Sequence, residues 1–150
     1  MRRFRHTFTV NCHIDKVWEF YTDIKHLKVI TPKDMQIRII KASQVLTQGS
    51  EVYLSGKLIT KSTWHSRITY LKPYTYVDEM LSGRFKTWKH LHKFQKVDEN
   101  STEVIDEIDF ELPYSFLGRM FEGYVYNRLR EVFIHRKAAT IKALETADNL

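Results

Sequence analysis

Gly83-Arg84-Phe85-Lys86-Thr87-Trp88-Lys89-His90-Leu91-His92-Lys93-Phe94 is the stretch on which the reading of the fold turns. From Trp88 onward it alternates with a period of two, the repeat of an extended strand. Trp88, His90, His92 and Phe94 share one face, and Lys89, Leu91, Lys93 and Gln95 share the other. Lysine ammonium groups stay in water, so the aromatic and imidazole face is expected to point inward. A strand that turns imidazoles and large aromatic rings inward predicts a cavity with polar groups in it rather than a plain core.

The next strand in the chain carries the most informative partner. Thr102, Val104, Asp106, Ile108, Phe110 and Leu112 alternate with Glu103, Ile105, Glu107, Asp109 and Glu111. A three-residue hairpin loop at Asp98-Glu99-Asn100 would pair Val97 with Ser101. His92 then faces Asp106, and His90 faces Ile108. Asp106 is therefore expected to hydrogen-bond His90 or His92, since a buried carboxylate without a partner would cost several kcal/mol.

Working outward, Phe4, His6, Phe8 and Val10 define an N-terminal half-buried strand. Ile14, Val17, Trp18 and Tyr21 then follow helical spacing. A second short helical turn after Asp23, a fitting N-cap, carries Ile24 and Leu27 and stops at Thr31-Pro32. From Met35 to Leu112 the pattern is β throughout. Gly56 suggests a bulge or bend in the strand from Glu51 to Ile59. Trp64, Ser66, Ile68 and Tyr70 share a face, and Tyr74–Leu81 is the strand before the Ser82-Gly83 turn. Ser115 is expected to cap a final helix of some thirty residues, about 45 Å long. Its stripe is Leu117, Met120, Phe121, Tyr124, Val125, Leu129, Val132, Phe133, Arg136, Thr140, Ile141 and Leu144. The order is one strand, two short helices, six strands and one long helix. All amphipathic faces are satisfied together if an antiparallel sheet curls around the long helix and the short helices plug one end.

A chain of 150 residues suits a single domain over positions 1–150. No window is apolar enough to span a bilayer, and Met1-Arg2-Arg3 lacks the apolar run of a secretory leader. Cys12 is the only cysteine, so no intrachain disulfide is possible and a cytoplasmic setting is expected. The net charge of +6 is spread along strands and helix faces, which reads as a solvated basic surface rather than a nucleic-acid footprint.

Several motifs together resemble the SRPBCC superfamily, also called START-like or polyketide cyclase/dehydrase-like. They are Val17-Trp18-x-Phe20-x-x-Asp23, Thr31-Pro32, Trp64-x-x-x-Ile68, and Asp78-x-x-x-x-Gly83-x-Phe85-x-x-Trp88-x-His90-x-His92-x-Phe94. Asp106, Pro113, Gly118 and Phe133-x-x-Arg136 continue the likeness, which spans nearly the whole chain. The Trp-x-His-x-His portion is similar to a bacterial branch of small ligand-binding members. Where that branch has Gly-Pro-Phe this chain has Gly83-Arg84-Phe85, and Cys12-His13 stands where relatives often carry Ala-Pro. The resemblance implies an α+β helix-grip fold, with a curved seven-stranded antiparallel sheet around the C-terminal helix. It also implies a cavity for a lipid, sterol, polyketide, quinone or similar molecule; only some members are enzymes.

The expected ligand-binding residues are Trp64, Trp88, His90, His92, Phe94, Asp106 and Tyr124, with a small hydrophobic ligand as partner. No nucleic acid, stable membrane insertion or cofactor is expected. The His/Asp group admits three readings: an ordering polar network, recognition of a ligand's polar end, or acid/base or metal chemistry. In the enzyme alternative, of cyclase, dehydratase or hydrolase type, His90 and His92 work with Asp106. A protein-interaction module without ligand is a further alternative. A His-x-His pair on a strand can face one Zn²⁺, but no spacing demands the third ligand, for which Asp106 and His6 are candidates. Asp78 is left ambiguous by strand parity, with Arg136 as a possible partner.

Overall fold

The computed structural model describes residues 1–145. The elements are β1 (Arg2–Val10), α1 (Ile14–Thr22), α2 (Leu27–Ile30), β2 (Arg38–Lys41), β3 (Glu51–Lys57), β4 (Lys61–Lys72), β5 (Thr75–Ser82), β6 (Thr87–Asp98), β7 (Ser101–Glu111) and α3 (Ser115–Leu144). The strands form one seven-stranded antiparallel sheet in the order β1-β7-β6-β5-β4-β3-β2. The long C-terminal helix and the two short helices complete a helix-grip fold, as the amphipathic pattern requires. None of the described helices is long and apolar enough to cross a membrane.

The decisive strand, β6, behaves as its alternation demands. His90, His92 and Phe94 are buried, while Lys89 and Lys93 are exposed. Across β6 and β7, His92 pairs with Asp106 and His90 with Ile108. The hairpin reaches this register by a different route from the one predicted. Asp98, not Val97, stands opposite Ser101, and a bulge between Lys96 and Asp98 makes up the residue. Glu99-Asn100 is left as a two-residue turn, with the Asn100 amide donating to Asp98 Oδ1 at 2.8 Å.

The helices begin in different ways. His13 takes the N-cap of α1, where its Nδ1 accepts the Asp15 amide at 3.1 Å, the work a hydroxyl or carboxylate usually does. Asp23 Oδ1 accepts the Lys25 amide at 3.1 Å and caps the single 3-10 turn Ile24–His26 that leads into α2, which has no side-chain cap of its own. At α3 the cap position belongs to Tyr114, in left-handed backbone at φ 60°, and Ser115 is already the first helical residue.

Three further expectations are corrected. Gly56 makes no bulge: the β3–β4 pairing runs through it unshifted, and a Cβ there would lie 2.7 Å from Ile37 Cδ1. Tyr70 leaves the inward face of β4, because a register shift between Ile68 and Tyr70 reverses the parity and exposes it. The α3 stripe is buried from Val125 through Leu129, Val132 and Phe133, but Leu117, Met120, Phe121 and Tyr124 are exposed. That first part of α3 borders a groove, with Leu58, Ile59 and Phe85 across from it, instead of lying on the sheet.

Two apolar clusters hold the layers together. One joins Val10, Val17, Tyr21, Phe94 and Val104 near α1. The other packs Phe4, Ile108 and Phe110 of the sheet against Val125, Leu129 and Phe133 of α3. Each fully buried side chain of this kind contributes about 1.5–3 kcal/mol.

Candidate functional site

Between sheet and helix lies a chamber of about 210 Å³. Leu54, Ile68, Ile108, Leu129 and Val132 give it apolar walls, and Phe20, Ile24, Leu27 and Ile30 close it from the short helices. Trp64 and Trp88 stand at its border, edge to face with ring centres 5.1 Å apart. Asp78, His90, His92 and Arg136 gather at one wall, and Asp23, His26, Thr31, Ser62 and Ser66 also reach the lining.

Strand register explains that concentration. One row across the sheet reads His6, Asp106, His92, Tyr76, and the next reads Phe4, Ile108, His90, Asp78. Alternate residues share a face, so two neighbouring rows bring both imidazoles and both carboxylates to a single patch. Tyr76, His92 and His90 stack in that order, with ring centres 4.0 and 3.5 Å apart.

Each imidazole has its own carboxylate. His90 Nε2 donates to Asp106 Oδ1 at 2.7 Å, and His92 Nε2 donates to Asp78 Oδ2 at 2.6 Å. The second ring nitrogens look at the opposite acids: His90 Nδ1 is 3.9 Å from Asp78 Oδ2, and His92 Nδ1 is 3.5 Å from Asp106 Oδ1. The nearest carboxylate to the Arg136 guanidinium is Asp106, at 4.0 Å, rather than the suggested Asp78. Its cation lies over the rings of Phe133 and Tyr21, at 5.1 and 5.6 Å. His92 Nδ1, Asp106 Oδ2 and Arg136 Nε are buried with no hydrogen-bond partner among the described residues.

The electrostatics follow from burial set against these contacts. Burial pushes the Asp106 carboxyl up, but the His90 hydrogen bond and the Arg136 charge outweigh it and bring it down to about 2. Asp78 is opposed by burial in the same way and is likewise held low by His92. Burial, with neighbouring His90, drives His92 down to about 4 despite both acids. At neutral pH the site therefore presents two carboxylates and a neutral His92 imidazole. Burial also lowers His6 and raises the Cys12 thiol, which leaves Cys12 a protonated core residue.

Of the residues singled out from the sequence, Trp64, Trp88, His90 and His92 line the chamber. Asp106 sits behind His90, 2 % exposed, and reaches the chamber only through that ring. Phe94 is a core residue packed against Tyr21 at 5.0 Å and Trp18 at 5.8 Å, outside the chamber wall. Tyr124 is 63 % exposed and belongs to the outer groove, because the buried stripe of α3 starts one residue later. Arg84 also lies at that groove, with Nη2 donating to the Lys61 carbonyl at 3.4 Å. Asp78 is the residue that sequence reasoning underrated. The Tyr76/Asp78/Met80 parity contained it, but Val77 and Leu81 made the opposite face equally apolar.

No protein-family model matches the chain, and no curated protein matches it in sequence. Solved structures do match in shape. A START superfamily protein from Mycobacterium smegmatis superposes with a TM-score of 0.75 at 13 % identity, covering 95 % of this chain and 97 % of that one. The Zhui aromatase/cyclase from Streptomyces sp. R1128 gives 0.68 at 21 % identity, covering 95 % and 90 %. Norcoclaurine synthase from Thalictrum flavum, in complex with dopamine and hydroxybenzaldehyde, gives 0.70 at 13 % identity, covering 96 % and 87 %. The fold is thus that of the START-like, or SRPBCC, proteins and the polyketide aromatase/cyclases.

Proposed function

We propose that this protein binds a small hydrophobic or amphipathic molecule, of the lipid, polyketide or quinone kind, inside the chamber. The observation that carries this reading is a largely apolar chamber of about 210 Å³ whose lining includes the clustered Asp78, His90, His92 and Arg136. Binding pockets are mostly apolar with a few placed polar groups, and typically about 300–1,000 Å³. The chamber sits just below that range, so it suits a compact molecule or the head of a longer one. Apolar burial supplies affinity at about 25 cal/mol per Å². His90, His92 and Asp78 orient the polar end. This volume also favours a ligand carrier over an interaction module with a solid interior. The lone buried Cys12 suits a reducing cytoplasm.

A second reading has its own observation. His90 lines the chamber and is held by Asp106 at 2.7 Å through Nε2, which leaves Nδ1 without a hydrogen bond, 3.9 Å from Asp78, an arrangement able to move a proton on a bound substrate. It fits a cyclase, dehydratase or hydrolase, and Zhui aromatase/cyclase shares the fold.

Native mass spectrometry of the purified protein tests the carrier reading by showing a co-purified apolar molecule. Titration with an apolar fluorescent naphthalene sulfonate adds a direct measurement. Trp64 and Trp88 should transfer energy to the bound probe, and Ser66→Phe, which fills the chamber, should weaken binding at least tenfold while circular dichroism stays unchanged. Probe affinity unaffected by Ser66→Phe would count against the chamber. In the enzymatic reading, His90→Ala abolishes turnover but retains substrate affinity.

A further inference from the structure

We propose that Asp78, His90 and His92 form a binding site for one divalent transition-metal ion of the Zn²⁺ type, open on its remaining side to the chamber. The three residues each bring one ligand atom to within 4.8 Å of the others. Two imidazoles and a carboxylate are a donor set that such ions favour, and three protein ligands leave the fourth position for a ligand.

The two distances from Asp78 require only a small adjustment. Ligand atoms about 2.0–2.1 Å from a tetrahedral ion lie about 3.3 Å from one another. Asp78 Oδ2 is 2.6 Å from His92 Nε2 and 3.9 Å from His90 Nδ1. Placing an ion among them opens the first gap and closes the second by comparable amounts.

The hydrogen-bond pattern around the trio carries the argument furthest. Metal-bound imidazoles give their other N–H to an outer carboxylate, which fixes the tautomer and the ring plane. Asp106 already takes that position on His90, accepting from Nε2 at 2.7 Å and leaving Nδ1 for the ion. At His92 the ion replaces the Nε2 proton that now bonds Asp78. The imidazole stays neutral, with its proton on Nδ1. That nitrogen is buried and unpartnered, 3.5 Å from Asp106 Oδ1. The ion therefore resolves an orphaned buried atom, and Asp106 serves both rings. Asp106 is a positioning residue in this arrangement, while Asp78, His90 and His92 are the ligands.

The test uses the full chain, stripped with a chelator and titrated with Co²⁺ by visible absorption and with Zn²⁺ by calorimetry. One ion per chain is expected, with the d–d bands of low-coordinate Co²⁺. His92→Ala and Asp78→Asn should each weaken uptake at least a hundredfold. Asp106→Asn should weaken it about 10–100-fold, as loss of an outer hydrogen bond does. His65→Ala, which removes the imidazole paired with Glu51 at 2.9 Å on the other face of β4, should leave it unchanged. X-ray absorption of the wild-type Co²⁺ protein keeps the test sharp if a variant fails to fold: two imidazoles in the coordination shell are expected. Absence of stoichiometric uptake by the wild type, a shell without two imidazoles, or uptake that survives both ligand substitutions would overturn the site. Probe binding by the chelated protein is scored separately and bears on the chamber alone.

Discussion

His92 shows how much one position can hold. Its ring is clasped between Tyr76 and His90, hydrogen-bonded to Asp78, and 5 % exposed. The unfolded ring takes a proton near pH 6.5, the folded one only near 4. Between those values the unfolded chain binds more protons, so stability rises with pH there and drains away on acidification. Asp106 reinforces the trend lower down, since its unfolded carboxyl protonates near 3.8 and its folded one near 2. Chelator-treated protein should lose on the order of 3 kcal/mol between pH 7 and 4, read as a falling denaturation midpoint. A midpoint flat across that window would show that His92 titrates as it does in water. Asp106→Ala strips the carboxylate from His90 and from Arg136 together, and removing one partner of a buried charged pair costs about 3–5 kcal/mol. Urea unfolding at pH 7 measures it; a loss under 1 kcal/mol would mean that the network is slack.

The elements were legible where the pattern was clean and lost where geometry intervened. β1, β6 and β7 alternate in sequence, so their inward faces could be read from the residues, as could the pairing of His92 with Asp106 and of His90 with Ile108, though not the bulge between Lys96 and Asp98. The bulge between Ile68 and Tyr70 has no residue signature, since neither glycine nor proline marks it. Asp78 was hidden for a related reason: its pairing with His90 depends on how the chain turns between Ser82 and Thr87, and the residues there do not specify that path. The candidate site was therefore half legible, the imidazoles and Asp106 from alternation, Asp78 only from the register. Gly118 is informative at this scale. A Cβ there would lie 2.7 Å from the Pro113 carbonyl oxygen and 3.0 Å from Leu112 Cβ. Alanine normally improves a helix position over glycine by about 1 kcal/mol. Overpacking against fixed backbone costs about 1–3 kcal/mol. Gly118→Ala should therefore be destabilising overall, by roughly 1 kcal/mol, and a raised melting temperature would show that the Leu112-Pro113 turn gives way.

For the molecule as a whole, the chamber and the outer groove share a wall. Leu58, Ser62 and Trp64 border both. Trp64→Ala should join the two spaces and speed release of a naphthalene sulfonate probe severalfold in stopped-flow measurements; an unchanged rate would show that exchange takes another path. The sheet order has a different consequence, one that concerns how the chain reaches this state. Among the described strands β1 pairs only with β7, and the Arg3–Asp109 ion pair across that seam joins residues 106 positions apart. Closing so large a loop is slow, because its entropy is lost before any contact repays it. During synthesis β1 is made before every other strand of the sheet and its partner β7 after them, so Phe4 and Phe8 stay bare until β7 has been added. The strand of the sheet that is made first is thus secured last, and that interval is when the nascent chain most needs shielding from its neighbours.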